Sequence, residues 1–90
     1  MSTTARRVRV EGRVQGVFFR DSCRAEAQSR GVTGWVTNEP DGSVSAHLEG
    51  DPAAVAAVAA WCHEGPRHAQ VERVEETDAS PEGLTGFEVR

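Results

Sequence analysis

The chain contains no lysine: all ten of its basic side chains are arginines, against 14 aspartates and glutamates. The formal net charge is therefore −4 at pH 7. A surface that binds nucleic acid through its phosphates needs a basic patch. The acidic balance argues against a nucleic-acid-binding protein.

Long apolar runs and a targeting segment are also lacking. No run approaches the ~20 apolar residues that a membrane span needs, and the opening residues, MSTTARR, lack the apolar core of a secretory signal. Two cysteines, Cys23 and Cys62, are too few for a disulfide framework, and each lies on the apolar side of a predicted helix. We therefore expect reduced core thiols in a cytoplasmic protein without membrane contacts.

The chain shows no repeat, low-complexity tract or linker-like stretch, which predicts a single domain over residues 1–90. A domain of this length buries about 60–65% of its unfolded surface and can fold alone. Nothing in the sequence calls for a partner subunit, so we expect a monomer.

Apolar spacing predicts the order strand, helix, strand, strand, helix, strand, with a short extra strand at the end. The strands cover about residues 6–13, 32–38, 43–50, 69–77 and 86–90; the helices cover 21–30 and a segment opened by Asp51 and Pro52. Val71 and Val74 break strict alternation, which indicates a β-bulge. This order is typical of the ferredoxin-like α+β sandwich, in which an antiparallel sheet carries both helices on one face.

The segment GRVQGVFFR, Gly12 to Arg20, joins the first strand to the first helix. Backbone N–H groups can converge on an anion at such a junction, and the helix N-terminus adds a partial positive charge. Gly12 and Gly16 allow sharp turns, and arginine can grip a phosphate with two hydrogen bonds. The segment is neither a Walker A loop nor a dinucleotide-binding fingerprint. Alone, it fits an anion-binding loop and an ordinary strand-to-helix connection equally well.

Asn38 lies near the end of the second strand, just before the turn Pro40-Asp41-Gly42. Its amide both donates and accepts hydrogen bonds without titrating, which suits the orientation of a water molecule. Asparagine also occurs in turns for its hydrogen bonds to the local backbone, so this position has a purely structural explanation as well.

Both segments resemble the signatures of one family. Residues 12–20 resemble the first signature of the acylphosphatases, and GWVTNEPDGSV, Gly34 to Val44, followed by Gly50, resembles the second. The ending GFEVR fits the same family, and the resemblance covers essentially the whole chain. Thr37 departs from the pattern, since the family usually has a longer side chain there. Because it precedes Asn38 in a strand, it should point to the opposite face and tune activity without abolishing it.

The resemblance implies hydrolysis of small acyl phosphates to a carboxylate and inorganic phosphate. In this family pattern Arg20 binds the phosphoryl group together with loop amides, and Asn38 positions the attacking water. The loop amides are those of Gln15, Gly16, Val17, Phe18 and Phe19. The leaving carboxylate has a conjugate acid of pKa about 4, so no general acid is needed at neutral pH. The transition state is loose, so positioning and electrostatics suffice, and no metal, cofactor or covalent nucleophile is expected.

Two other functions remain open from the residues. A non-catalytic module that binds phosphate or acyl phosphate would use the same loop and Arg20 but would not need Asn38. A ferredoxin-like RNA binder would need exposed aromatic residues on the central strands, which are missing here. The three histidines match no metal-ligand spacing, and we expect them to be surface or loop residues: His47, His63 and His68.

Overall fold

Five strands form one sheet in the order β4-β1-β3-β2-β5 in a computed structural model. The structure describes residues 3–90, so the first two residues of the predicted domain lie outside it. The strands are β1 (Thr4–Arg13), β2 (Thr33–Asn38), β3 (Val44–Gly50), β4 (Gln70–Ala79) and β5 (Phe87–Val89), and the helices are α1 (Phe19–Ser29) and α2 (Pro52–Cys62).

One face of the sheet carries the core. Val8 and Val10 of β1 and Leu48 of β3 are fully buried there, as the alternation of these strands predicts. Both helices pack on this face, through stripes of buried residues: Phe19, Cys23 and Ala27 on α1, and Val55, Val58, Ala59 and Cys62 on α2. The predicted ferredoxin-like α+β sandwich is confirmed.

The last strand pairs in a direction that the sequence did not reveal. The pairs β4–β1, β1–β3 and β3–β2 are antiparallel, but β5 runs parallel to β2. The sheet is therefore mixed and not wholly antiparallel. Since β4 and β5 lie at opposite edges, residues 80–86 must cross the sheet to connect them. They cross on the face without helices, where their backbone N–H groups contact Glu49.

The predicted bulge is present where β1 leads into the loop before α1. Glu11 pairs with Arg73 and Gly12 pairs with Val71, which leaves Glu72 as the extra residue. Gly12 adopts φ +127°, and a Cβ there would lie 2.2 Å from the carbonyl oxygen of Gln70. Only glycine allows this close approach of the two backbones.

The two cysteines behave as core thiols. Cys23 and Cys62 are free and buried between the helices and the sheet. A hydrogen bond with the Cys23 thiol and burial both raise the pKa of the Cys62 thiol, which disfavours the reactive thiolate.

A buried polar cluster occupies the face without helices. His47 is fully buried, so the expectation of a surface histidine was wrong at this position. Its Nε2 lies 2.7 Å from the Glu49 carboxylate, which also accepts hydrogen bonds from the N–H groups of Glu82, Gly83 and Leu84. The guanidinium of Arg7 donates to His47 Nδ1 at 3.3 Å and to the Glu82 carboxylate at 3.5 Å. The cluster anchors the crossing segment to β3.

The carboxyl of Glu49 is held in its charged form. Burial favours the neutral form, but the hydrogen bonds from the Glu82 N–H, His47 and the Leu84 N–H outweigh it, and the pKa lies below its usual value. In the unfolded chain these partners are absent, so the unfolded state takes up the proton at a higher pH. The resulting stability is present above about pH 4.3 and is lost as the pH falls through the folded-state pKa.

Glu49→Gln should therefore destabilise the fold in a pH-dependent way. At pH 7 we expect a loss of about 1–3 kcal/mol in the free energy of unfolding, because an amide replaces a charged acceptor of several hydrogen bonds. The difference from wild type should shrink as the pH falls through the lowered pKa of Glu49, because Glu49 itself then becomes neutral. Urea denaturation across this range measures both effects, with Glu64→Gln, an exposed carboxylate, as the control. A difference independent of pH would contradict this role of Glu49.

Candidate active site

Two segments that are distant in sequence meet in one cleft. The loop between β1 and α1 and the end of β2 enclose a volume of about 260 Å³. The cleft is lined by Val14, Gly16, Phe18, Phe19, Arg20, Asp21 and Asn38. The structure thus brings Arg20 and Asn38 together with most of the predicted loop. Gln15 and Val17 are the exceptions, since neither lines this cleft.

The loop backbone has the form of an anion-binding nest. Gly16 and Phe18 have φ of +74° and +63°, whereas Val17 between them does not have a positive φ. This alternation turns successive N–H groups towards one side of the chain. Within residues 3–90, the N–H groups from Gln15 to Asp21 have no hydrogen-bond acceptor, and the first to donate is Ser22, to the carbonyl of Phe18 at 3.0 Å. These donors are available to an anion.

Phe18 is placed unusually both in its backbone and in its side chain. It is the N-cap of α1, yet it lies in the left-handed region and provides no side-chain cap. Its side chain is 76% exposed, although it is a large apolar group at the rim of the cleft. A non-glycine residue held in this conformation carries backbone strain, which is characteristic of functional sites.

Arg20 is oriented by the far end of the chain. Its Nη1 donates a hydrogen bond to the carbonyl oxygen of Arg90 at 3.0 Å, and the N–H of Arg90 donates to the carbonyl of Val36 at 2.8 Å. The guanidinium of Arg20 is therefore hydrogen-bonded to the residue that follows β5, and β5 is itself paired with β2. In the part of the chain that the structure describes, no aspartate or glutamate side chain forms an ion pair with Arg20.

The side chain of Gln15 connects the two halves of the site. Its Nε2 donates to the carbonyl oxygens of Glu39 at 2.8 Å and Ser43 at 2.9 Å, both in the turn that follows Asn38. Sequence reasoning assigned Gln15 only a backbone role and missed this contact. No local signal could have found it, because Gln15 lies far from this turn in the sequence.

The turn after Asn38 is tightly hydrogen-bonded. The Glu39 N–H donates to the Ser43 carbonyl at 2.8 Å, and the Asp41 carboxylate accepts from the hydroxyl and the N–H of Ser43 at 2.6 and 2.9 Å. These hydrogen bonds from Ser43, together with the ion pair to Arg9, lower the pKa of Asp41 to about 2. Thr37 does not line the cleft, in agreement with the predicted opposite orientation.

A ferredoxin-like sandwich with an arginine, an asparagine and a nest of N–H groups without acceptors in one cleft is the arrangement expected of an anion-binding protein. Comparisons with known proteins identify the family. The family model "Acylphosphatase" matches residues 6–89. The chain is 59% identical over 83 residues to an acylphosphatase from Nocardioides sp., covering 92% of this chain and 84% of that protein. The chain belongs to the acylphosphatase family and is an enzyme, which favours catalysis over the alternative of a binding module.

Solved structures agree with this assignment. An acylphosphatase from Coxiella burnetii superimposes with a TM-score of 0.94 and 38% identity, over 98% of this chain and 93% of that one. One from Bacillus subtilis gives a TM-score of 0.93 and 34% identity, over 97% and 98% of the two chains. Neither helix within residues 3–90 is long and apolar enough to cross a bilayer.

Proposed function

We propose that the cleft holds the phosphoryl group of an acyl phosphate while a water molecule attacks it. Arg20 and the loop N–H groups of Gln15, Gly16, Val17, Phe18 and Phe19 bind the phosphoryl oxygens, and Asn38 orients the water. The observation that carries this proposal is the run of N–H groups without acceptors beside Arg20, in the cleft that Asn38 also lines.

The reaction needs little beyond this arrangement. The water oxygen forms a bond to phosphorus as the bond from phosphorus to the carboxylate oxygen breaks, and the carboxylate leaves with the electron pair. The proton of the water passes to the phosphate product or to solvent. Because the conjugate acid of the leaving carboxylate has a pKa of about 4, the leaving group needs no protonation at neutral pH. Arg20 and the N–H dipoles stabilise the charge on the phosphoryl oxygens.

The test is hydrolysis of benzoyl phosphate by the purified protein, before and after treatment with excess EDTA. We expect turnover in both samples, because the guanidinium and the backbone dipoles supply the positive charge that a metal ion provides in other phosphoryl-transfer sites. An activity that disappears with EDTA and returns with added metal would overturn the metal-independent mechanism. No turnover in either sample would overturn the proposed function itself.

We further propose that the protein acts as a single-domain monomer in the cytoplasm, without nucleic acid or membrane partners. Two buried free thiols fit a reducing compartment, and the net charge of −4 fits a small-molecule substrate better than a nucleic acid. Sedimentation of the purified chain measures its oligomeric state.

A further inference from the structure

The two halves of the active site follow strands that are not neighbours in the sheet. The phosphate-binding loop follows β1, Asn38 ends β2, and β3 lies between these strands. Val44, the first residue of β3, pairs with Val10 of β1 on one side and with Asn38 on the other. Because neighbouring strands lie about 4.8 Å apart, the two halves are separated by about 10 Å at this level. Beyond this row the sheet no longer joins them.

The side chain of Gln15 spans this separation. Its amide donates to the carbonyl of Ser43, immediately before β3, at 2.9 Å and to that of Glu39, immediately after β2, at 2.8 Å. Within residues 3–90, no other hydrogen bond joins loop residues 14–18 directly to turn residues 39–43. The Gln15 amide thus continues the connection between the two halves one step beyond the last row of paired strand residues.

The two carbonyl groups do not depend on Gln15 for a hydrogen-bond partner. The Glu39 carbonyl also accepts from the N–H of Gly42 at 3.1 Å, and the Ser43 carbonyl also accepts from the N–H of Glu39 at 2.8 Å. A carbonyl oxygen has two lone pairs, so each keeps a donor if the Gln15 amide is removed. Because no acceptor is left unsatisfied, removal should cost little stability. What the amide adds is a fixed distance between the loop and the turn.

We propose that Gln15 is a positioning residue, whose side chain fixes the distance between the phosphoryl group and the water that Asn38 orients. This inference rests on the proposed hydrolysis of acyl phosphates. The attacking oxygen must lie about 3–3.5 Å from phosphorus and in line with the bond that breaks, and a displacement of about 1 Å can cost about 10²-fold in rate. Gln15 does not line the cleft, and both N–H donors of its amide are used by the turn. The side chain therefore acts through Asn38.

Gln15→Met tests this role, because methionine keeps the length of the side chain and the backbone N–H but has no donor. We expect kcat for benzoyl phosphate to fall by about 10- to 10²-fold, the effect of a misplaced reacting group. KM and the inhibition constant of inorganic phosphate should stay within about threefold of wild type, because Arg20 and the loop N–H groups remain. The control is Gln28→Met, the same change at an exposed position of α1 that belongs to neither half, and it should behave as wild type.

A double variant with Asn38→Ala shows whether Gln15 acts through Asn38. In that background Gln15→Met should lower kcat further by no more than about twofold, because no oriented water remains to be misplaced. A full additive loss would overturn the inference. Wild-type kcat in Gln15→Met would also overturn it, as would loss of phosphate inhibition or of stability together with turnover. These results remove the inference alone, whereas absence of turnover in wild type removes the proposed function.

Discussion

Arg20→Lys should lower kcat/KM for benzoyl phosphate by about 10³-fold, the effect seen when a guanidinium that stabilises a phosphoryl transition state is lost. Lysine keeps the charge but loses the planar fork that binds two phosphoryl oxygens at once. It also loses the fixed orientation that Arg20 gains from the Arg90 carbonyl at 3.0 Å. Inhibition by inorganic phosphate should weaken in parallel, because the product uses the same contacts. Steady-state kinetics with phosphate as inhibitor measures both.

Arg24→Lys is the matched control for Arg20→Lys. Arg24 lies one turn further along α1, is exposed and does not line the cleft, and lysine can keep its ion pair with Asp21, which is 3.6 Å long. Its substitution tests whether arginine-to-lysine changes on this helix disturb activity in general, and we expect near wild-type kinetics. Wild-type kinetics in Arg20→Lys itself would rule out bidentate hydrogen bonding of Arg20 to the phosphoryl group.

Asn38→Ala should separate turnover from binding. If Asn38 orients the water, kcat should fall by about 10²-fold or more, in the range for loss of one positioned transition-state hydrogen bond. The inhibition constant of inorganic phosphate should stay close to wild type, because Arg20 and the loop N–H groups remain. Measuring both quantities is informative because a variant with a misfolded site would lose turnover and phosphate inhibition together.

Thr37→Ala provides the control for Asn38→Ala. Thr37 is the preceding residue of β2, pairs with Ser45 and does not line the cleft. It should keep most of its turnover. Loss of phosphate inhibition in Asn38→Ala would instead assign Asn38 to phosphate binding, and retained turnover would remove it from the mechanism.

The residues of the cleft could be anticipated because each lies beside a strong local signal. Arg20 follows a turn with two glycines at a helix start, and Asn38 precedes a turn marked by Pro40 and Gly42. The core face of the sheet could be predicted for the same reason, since apolar and polar residues alternate along β1 and β3 and each strand has one apolar side. Helix α1 begins at Phe19, two residues earlier than predicted. The residue before it, Phe18, adopts a left-handed conformation, and no local sequence pattern indicates this conformation for a phenylalanine.

The parts that could not be anticipated depend on segments without periodicity. Residues 80–86 have no regular apolar pattern, so neither their path across the sheet nor the parallel pairing of β5 was visible. The burial of His47 follows from that path, since a histidine on a polar strand face is buried only when another segment covers it. Likewise, the contacts of Gln15 with Glu39 and Ser43 join positions that are brought together only by the fold.

The hydrogen bond between Arg20 and Arg90 spans 70 positions of the chain, so it has a consequence for folding order. Local elements form quickly, whereas contacts between distant segments close late. A ribosome-bound chain that has emerged only as far as β4 already contains the loop, Arg20 and Asn38, but the guanidinium still lacks the carbonyl that aims it. During refolding, catalytic activity should accordingly return after the helical circular dichroism signal, once β5 has paired with β2.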